Sequence, residues 1–176
     1  STVSSMRFSK AVWNSSGNLI NKTSENISGT TNSTNISVTL SYDDTYEWNY
    51  YVCDIADNCG WNSTNFTLTL DTLNPQIDFD ISTTPEGNYS QNWIFINITA
   101  TDKYLENTTI RLYNSSGLVY ENTSSGSNSI NYTSLQQGNY WFNATANDSA
   151  GNENSTLTKE IILETSGPLI SDSNIN

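Results

Sequence analysis

Apolar residues in this chain alternate with polar ones at a period of two, and this spacing decides the type of secondary structure. Such alternation places successive side chains on opposite faces of a β-strand, and no stretch of the chain shows a helical period. Turn sequences such as NSSG and DSAGN separate the alternating stretches. We therefore predict an all-β fold of antiparallel sandwiches. The predicted strands include residues 35–40, 46–52, 65–70, 93–101 and 140–146.

An internal repeat of about 95 residues organises the chain. Residues 12–24, 46–58 and 66–75 match residues 112–124, 140–152 and 159–168, in the same order. We predict two tandem immunoglobulin-like β-sandwiches, an incomplete one over residues 1–73 and a complete one over residues 74–167. Residues 168–176 are expected to begin a further repeat or to act as a donor strand.

The first repeat lacks the opening strands that the second repeat has. Residues 75–100 have no counterpart before Trp13, so the first sandwich would have an unpaired edge and an open core. Residues 168–176 (PLISDSNIN) of one chain could pair into the first repeat of the next chain by donor-strand addition, which builds fibres. Residues 1–8 would then have to replace a second strand. The alternative is that the missing strands lie upstream in a longer covalent array.

Asn-x-Ser/Thr triplets are more frequent than composition explains. Chance pairing of 26 asparagines with 49 Ser and Thr residues would give about 7 triplets, whereas the chain has 16. We therefore predict covalent N-glycans on a secreted protein. The predicted sites are Asn14, Asn21, Asn26, Asn32, Asn35, Asn62, Asn65, Asn88, Asn97, Asn107, Asn114, Asn122, Asn131, Asn143, Asn147 and Asn154.

The sequons agree with the strand predictions. Asn35, Asn65, Asn97 and Asn143 lie within predicted strands, each on the face opposite to the apolar residues. Because a glycan cannot be buried, these faces should be exposed. Residues 21–37 (NKTSENISGTTNSTNIS) hold four sequons, and we interpret them as the glycan-covered edge of the first sandwich rather than as a disordered linker.

The two cysteines, Cys53 and Cys59, lie in the sequence CDIADNC. The chain has no histidine, so this pair alone falls short of the four ligands of a zinc site. We predict a disulfide that closes a turn, which implies an oxidising, extracytoplasmic compartment. Cys53 aligns with Asn147 on the outward side of its strand, so this bond should join a hairpin and not cross the core.

A tyrosine precedes the same strand in both repeats. LSYDDTYEW (40–48) contains Tyr46 and LQQGNYWF (135–142) contains Tyr140. In Greek-key sandwiches a tyrosine at this point donates a hydrogen bond back to the backbone across the corner between the sheets. We therefore predict a tyrosine corner in each repeat.

The ends of both repeats resemble a known class of module. YEWNYYVCDIADNCGWNSTNFTLTLDTLNPQI and its counterpart YWFNATANDSAGNENSTLTKEIILETSGPLI resemble the tandem immunoglobulin-like and fibronectin type III-like repeats of large secreted microbial surface proteins, especially archaeal ones. Such repeats have a D-x-A-G-N turn, here at residues 54–58 and 148–152, and a D-T-x-x-P ending, here at residues 71–75 and more loosely at 164–168. The resemblance implies this fold and a location outside the cell or on its surface.

Acidic and amide side chains are concentrated in the two turns. Asp54, Asp57 and Asn58, with Asp148 and Asn152, are oxygen donors of the kind that calcium takes. Asp and Asn also shape turns through hydrogen bonds to the backbone. We expect the turn role, and we predict neither a metal nor a cofactor.

Six aromatic residues fall on or near the outward faces of predicted strands. They could stack on sugar rings, cover a subunit contact or pack beneath the protein's own glycans. The sequence leaves these three alternatives open. The residues are Trp13, Tyr51, Trp61, Trp93, Tyr113 and Trp141.

Charge and composition exclude several functional classes. Six basic residues stand against 18 acidic ones, for a net charge of −12, whereas nucleic-acid binding needs clustered Lys and Arg. No apolar run approaches the roughly 18 residues of a membrane span. The lack of histidine removes the commonest general base, and we predict that the protein is not an enzyme.

The predicted function is that of a structural subunit of an extracellular, heavily N-glycosylated filament or surface coat. Its partners would be copies of itself, assembled head to tail from immunoglobulin-like domains. The alternative is a carbohydrate-binding or adhesive module of a large cell-surface protein, because a fold of this class implies no particular activity.

Overall fold

The structure is a computed structural model that describes residues 5–28 and 35–167, and every regular element in them is a β-strand. The chain divides into two units, Ser1–Thr72 and Leu73–Asn176. In the described residues, no helix has the length and apolar character needed to cross a membrane. The predicted all-β fold of antiparallel sheets is confirmed.

The described residues of the first unit form one five-stranded antiparallel sheet. Its strand order is β2-β1-β3-β4, and β5 also pairs with β3. The strands are β1 (Ser5–Trp13), β2 (Leu19–Ser28), β3 (Asp44–Cys53), β4 (Cys59–Trp61) and β5 (Phe66–Leu70).

The second unit contains two sheets. Strands β10-β9-β12-β14-β7 form the larger sheet, with β13 paired to β12, and β11-β8-β6 form the smaller one. All these pairs are antiparallel except β14 with β7, which is parallel. The strands are β6 (Gln76–Phe79), β7 (Gly87–Tyr89), β8 (Ile94–Thr101), β9 (Leu105–Asn114), β10 (Gly117–Ser124), β11 (Asn128–Tyr132), β12 (Gly138–Asp148), β13 (Glu153–Ser155) and β14 (Lys159–Leu163).

The core of the second unit lies between its two sheets. Alternate residues of β8 (Ile94, Ile96 and Ile98) are fully buried and face alternate residues of the larger sheet. Burial of each such side chain contributes about 1.5–3 kcal/mol. The alternation predicted for residues 93–101 and 140–146 is therefore confirmed. The buried cluster comprises Ile94, Ile96, Ile98, Ile110, Leu112, Tyr132, Leu135, Tyr140, Phe142, Ala144, Ile161 and Leu163.

The sequence repeat is also a structural repeat. The hairpins β1–β2 and β9–β10 correspond, as do the long strands β3 and β12. The register agrees as well, since Tyr46 of β3 lies opposite Leu68 and Tyr140 of β12 lies opposite Ile161. The sheet of the first unit is therefore the counterpart of the larger sheet of the second unit. The described residues of the first unit contain no counterpart of the smaller sheet.

The strand predicted at residues 35–40 is not formed. Ile36, Val38 and Leu40 are half-buried and alternate with exposed neighbours, but the segment has no regular secondary structure. Its counterpart β11 is held by pairing with β8, and the described part of the first unit has no strand in that position. Residues 5–8 do not replace the missing strand, as donor-strand addition would require of residues 1–8, because they belong to β1 and pair with β2.

Both predicted tyrosine corners are present. The hydroxyl of Tyr140 donates a hydrogen bond to the carbonyl oxygen of Gln136 at 3.0 Å, and that of Tyr46 donates to the carbonyl oxygen of Tyr42 at 2.5 Å. Tyr132 contrasts with these residues. It is 6% exposed, and its hydroxyl has no hydrogen-bond partner in the described part of the chain. Its burial, with smaller contributions from Glu121 and Tyr120, raises its pKa to about 12.

Removing the hydroxyl should therefore have opposite effects at two buried tyrosines. Tyr140→Phe loses the corner hydrogen bond and should lower the free energy of unfolding by about 1 kcal/mol. Tyr132→Phe removes an unsatisfied buried hydroxyl and should be neutral or stabilising. Urea unfolding of the second unit measures both. Equal destabilisation by the two variants would contradict the different roles given to the two hydroxyls, bonded in Tyr140 and unsatisfied in Tyr132.

Tyr132 also predicts a loss of stability at alkaline pH. An unfolded tyrosine ionises near pH 10, whereas folded Tyr132 keeps its proton up to about pH 12. Its contribution is therefore complete below about pH 10 and is lost as the pH rises to about 12. Tyr132→Phe should lose less stability over this range than the unmodified chain.

Candidate functional surfaces

One face of the first unit's sheet is lined by aromatic and aliphatic side chains, and the described part of this unit contains no second sheet to cover them. We call Phe8, Trp48, Tyr50, Phe66 and Leu68 the open face. Trp48 stacks on Phe66 with ring centroids 4.4 Å apart, and Tyr50 stacks on Phe8 at 5.6 Å. Phe66 is 42% exposed and Leu68 is 50% exposed. The rings are thus ordered against one another while their outer sides remain accessible.

The equivalent positions in the second unit are buried. Leu68 corresponds to Ile161, and Trp48 corresponds to Phe142, both of which are 0% exposed. The difference arises because β6 and β8 cover the larger sheet in the second unit, with Phe79 in edge contact with Phe142 at 5.3 Å. The apolar residues of the strands predicted at 46–52 and 65–70 do share one face of the sheet. That face is only partly covered.

Residues 35–40 cover part of the open face. Val38 and Leu40 contribute to a cavity of about 120 Å³, whose other lining residues are Lys10, Val12, Tyr46, Trp48 and Leu68. The ammonium group of Lys10 lies 4.8 Å from the ring centroid of Trp48. The second unit has Ile110 at the position of Lys10, so the open face carries a positive charge that the closed core does not.

On the opposite face of the same sheet, three aromatic residues predicted to point outward contact one another. Trp61 lies 4.9 Å from Tyr51 and 5.9 Å from Trp13, measured between ring centroids. Trp61 is 48% exposed, while Ala11 on this face is buried. Packing on their own sheet is therefore the role that the contacts support for these rings.

Trp93 has different surroundings. It is 40% exposed and lines an open depression of about 600 Å³ together with several amide side chains. Gln91 donates a hydrogen bond from Nε2 to the carbonyl oxygen of Trp93 at 2.8 Å. A flat ring beside amide groups is suited to contact a polar ring-shaped ligand such as a sugar. The remaining lining residues are Ser90, Asn92, Leu135, Gln136, Gln137 and Thr165.

The predicted disulfide is present between Cys53 and Cys59. The two residues lie opposite each other in the β3–β4 pair, so the bond joins a hairpin and does not cross a core, as predicted. Cys53 is 3% exposed. Because the closed loop is short, the bond contributes about 2 kcal/mol through the entropy of the unfolded chain.

The acidic residues of the two turns hold the backbone. In the second unit, Asp148 Oδ1 accepts hydrogen bonds from the backbone N–H groups of Ala150 and Asn152 at 2.8 and 2.9 Å, and Oδ2 accepts one from Asn152 Nδ2 at 2.7 Å. Asp54 makes the same set of bonds in the first unit. The turn role expected for these oxygens is confirmed.

The turns also need one left-handed residue each. Asp57 has φ 61° and the equivalent Gly151 has φ 93°. Glycine adopts this conformation without steric cost, and aspartate is among the few other residues that tolerate it. Asp57 in addition accepts a hydrogen bond from Arg7 Nη2 at 3.1 Å, in an exposed ion pair that contributes little.

Fifteen of the sixteen sequon asparagines lie in the described residues, and none of them is buried. Asn32 lies outside the described residues. The two asparagines that are buried in the described part of the chain, Asn49 and Asn128, are not in sequons. Those that are exposed are Asn26, Asn35, Asn65, Asn88 and Asn131, and those that are half-buried are Asn14, Asn21, Asn62, Asn97, Asn107, Asn114, Asn122, Asn143, Asn147 and Asn154.

Sequence reasoning did not identify the buried role of Asn49. Its Nδ2 atom donates to the carbonyl oxygen of Asn62 at 3.0 Å and to Oδ1 of Asn65 at 2.9 Å, which ties β3 to the segment between β4 and β5. The strand alternation placed Asn49 on an outward face. One signal was available in the sequence. Asn49, unlike Asn62 and Asn65, does not begin a sequon, because Tyr50 and Tyr51 follow it.

Asp148 predicts a loss of stability in acid. Burial alone would raise the pKa of Asp148, but the hydrogen bonds from Asn152, Ala150 and Gly151 outweigh it and hold the pKa below its usual value. The stabilisation is therefore present above about pH 4 and is lost as the pH falls through the folded pKa. Asp148→Asn should lower the melting temperature at pH 7 and should have progressively less effect towards pH 2.

The matched control is Glu106→Gln, which removes a carboxylate from an exposed position of β9. Its effect should be small at every pH. A constant difference between Asp148→Asn and the unmodified chain from pH 7 to pH 2 would show that the charge of Asp148 is irrelevant.

No protein-family model and no curated protein matches the chain. Among solved structures, the chain is similar to the fibronectin(III)-like modules of CbhA from Clostridium thermocellum, with 18% identity and a TM-score of 0.40 over 53% of this chain and 100% of that one. It is also similar to the FN1-FN3 domains of chicken CNTN1, with 14% identity and a TM-score of 0.44, over 90% of this chain and 56% of that one. Neither similarity reaches a level that supports an inference about function.

Proposed function

We propose that the protein is a structural subunit of an extracellular, N-glycosylated filament or surface coat, in which copies of the chain join head to tail. The observation that carries the proposal is the open face of the first unit, whose counterpart in the second unit is covered by a second sheet. Exposed apolar faces of this kind mark surfaces that a partner covers. An added strand would bring apolar side chains to this face. It would also form backbone hydrogen bonds with an unpaired strand edge.

Strand β5 offers an incoming strand a backbone edge. Its counterpart β14 pairs with β12 on one side and with β7, in parallel, on the other. In the described residues β5 pairs only with β3. A strand from another copy that pairs with the free edge of β5 would extend the sheet next to Phe66 and Leu68, as β7 extends the larger sheet beside β14.

Residues 168–176 are the proposed donor. They lie outside the described residues, and their sequence restarts the repeat at the point where residues 74–82 begin the second unit. That stretch of the second unit contains β6, which belongs to the smaller sheet over the core, so a donor that takes the place of β6 would lie on the open face. They combine Leu169 and Ile170 with one acidic residue, Asp172, which suits an apolar face that carries Lys10. A contact from residues 168–176 of one copy to the first unit of the next does not close on itself and therefore generates a filament.

A glycan coat is supported by the accessibility of the sequons. Every sequon asparagine in the described residues retains solvent exposure, so sugar at these positions is compatible with the fold. Asn21 and Asn26 lie on β2, an edge strand of the first unit's sheet. Glycans there would block pairing of the wrong edge with another chain, leaving the β5 edge for assembly.

The proposal predicts that Leu68→Glu abolishes assembly. A carboxylate in place of Leu68 would have to leave water when a donor strand covers the open face, a cost that pairing with Lys10 repays only in part. Electron microscopy and sedimentation should show filaments of the unmodified chain and single chains of the variant. Leu157→Glu is the matched control, because Leu157 is 88% exposed in the second unit, and this variant should still assemble.

A chain ending at residue 167 tests the donor itself and should also remain single. Under denaturing conditions, and with sugar removed, the filaments should dissociate to a band near 19.5 kDa, because strand addition is not covalent. An unmodified chain that stays single at high concentration would overturn the proposal.

A second candidate function is carbohydrate binding at the depression around Trp93. The observation that favours it is the pairing of an exposed indole with the amide groups of Gln91, Gln136 and Gln137. Trp93→Ala should then abolish binding to a glycan array, while Leu157→Glu should preserve it. An array on which the unmodified chain binds nothing would exclude this function for the ligands displayed.

A further inference from the structure

Phe95 is an aromatic residue with no structural role in the core. It lies on β8, between the fully buried Ile94 and Ile96, so its side chain projects from the outer face of the smaller sheet. It is half-buried, and it does not belong to the apolar residues that pack against the core. Its ring therefore offers an accessible apolar surface on the outside of the second unit.

Two sequon asparagines flank this ring. Asn97 follows two residues later on the same strand and thus projects from the same face. Asn131 lies on β11 directly opposite Phe95 in the strand register. Directly opposite residues in an antiparallel pair have Cβ atoms about 4.5–5.5 Å apart. The side chains of both asparagines therefore leave the backbone within about one side-chain length of the Phe95 ring.

The amide groups of both asparagines are compatible with attachment. Asn131 is exposed, and Nδ2 of Asn97 donates a hydrogen bond to Oγ of Ser82 at 3.0 Å. Attachment replaces one of the two Nδ2–H bonds by a bond to the anomeric carbon of a sugar. The bond between that carbon and a phosphate oxygen of the activated sugar breaks, the phosphate leaves, and a proton is released. The remaining N–H of Asn97 can keep its bond to Ser82, which would hold the amide and the first sugar in one orientation.

We propose that Phe95 is a stacking support for N-glycans at Asn97 and Asn131, an inference that rests on the proposed glycan coat. A pyranose ring has an apolar face of C–H groups, and such a face packs on an aromatic ring and removes apolar area from water. The glycans then cover the outer face of the smaller sheet and stabilise the folded second unit.

The larger sheet supplies a matched comparison. Asn147 on β12 lies opposite Asn107 on β9, so these two sequons are also neighbours across a pair of strands. The residues two positions from Asn147 are Thr145 and Ser149, neither of which is aromatic. Sugar at Asn147 should therefore lack this stabilisation.

A double-mutant cycle on the full chain tests the proposal. The chain is produced in a secretory host that attaches N-glycans, and the occupancy of each site is measured by glycopeptide mass spectrometry. The sequons at Asn97 and Asn131 are removed by Thr99→Ala and Thr133→Ala, which change exposed residues and keep both asparagines. The measured quantity is the melting temperature of the second unit, with Phe95 and with Phe95→Leu, in each background.

With both glycans present, Phe95→Leu should lower the melting temperature by about 4 °C more than it does in the chain without these sequons. Phe95→Tyr, which keeps the ring, should restore the value. Removing the sequon of Asn147 by Ser149→Ala should leave the effect of Phe95→Leu unchanged.

The failures are distinguishable. Equal effects of Phe95→Leu in the two backgrounds, with sugar present at Asn97 and Asn131, would overturn the stacking proposal and leave the glycan coat intact. Sugar at other sites but not at these two would also overturn it. Absence of sugar from every site would overturn the glycan coat as well.

Discussion

The structure depends on one requirement in both units. The apolar face of the first unit's sheet, and that of the larger sheet in the second unit, must be removed from water. Hydrophobic burial is the dominant favourable term in folding, and a single sheet with one apolar face cannot satisfy it alone. In the second unit the smaller sheet meets the requirement, and Phe142 and Ile161 become fully buried. In the first unit Leu68 keeps half of its surface exposed. The described residues of the first unit therefore meet this requirement only in part.

The two units stabilise the connections on either side of their long strands, β3 and β12, with the same residue types. Each has a tyrosine that holds the corner before its long strand and an aspartate that holds the turn after it. Polar groups on the surface are mainly amides and hydroxyls, since only 14% of the residues are charged. The charges that are present sum to −12, so like charge adds to the repulsion between chains.

The alternation of residues sufficed to predict β8 and β12 of the second unit, because Ile94, Ile96 and Ile98 belong to one face wherever the strand lies. It was insufficient for residues 35–40, because a strand also needs a neighbour to bond with. It placed Asn49 on the outward face and gave no sign of its burial there, since its hydrogen-bond partners come from residues 62 and 65. The unsatisfied hydroxyl of Tyr132 left no trace in the sequence, because satisfaction depends on which groups surround it.

The amino-acid sequence by itself was enough to establish the all-β class, the repeat, the turns, the disulfide and the set of sequons. Each of these depends on residues that are close together in the sequence. The three-dimensional arrangement was needed for everything that depends on register between distant strands. Only the pairing of β8 with β11 places Asn131 beside Phe95, and only the sheet order leaves the edge of β5 open in the described residues. Strand pairing brings together residues that no local pattern relates, so these surfaces become visible only after the sheets have formed.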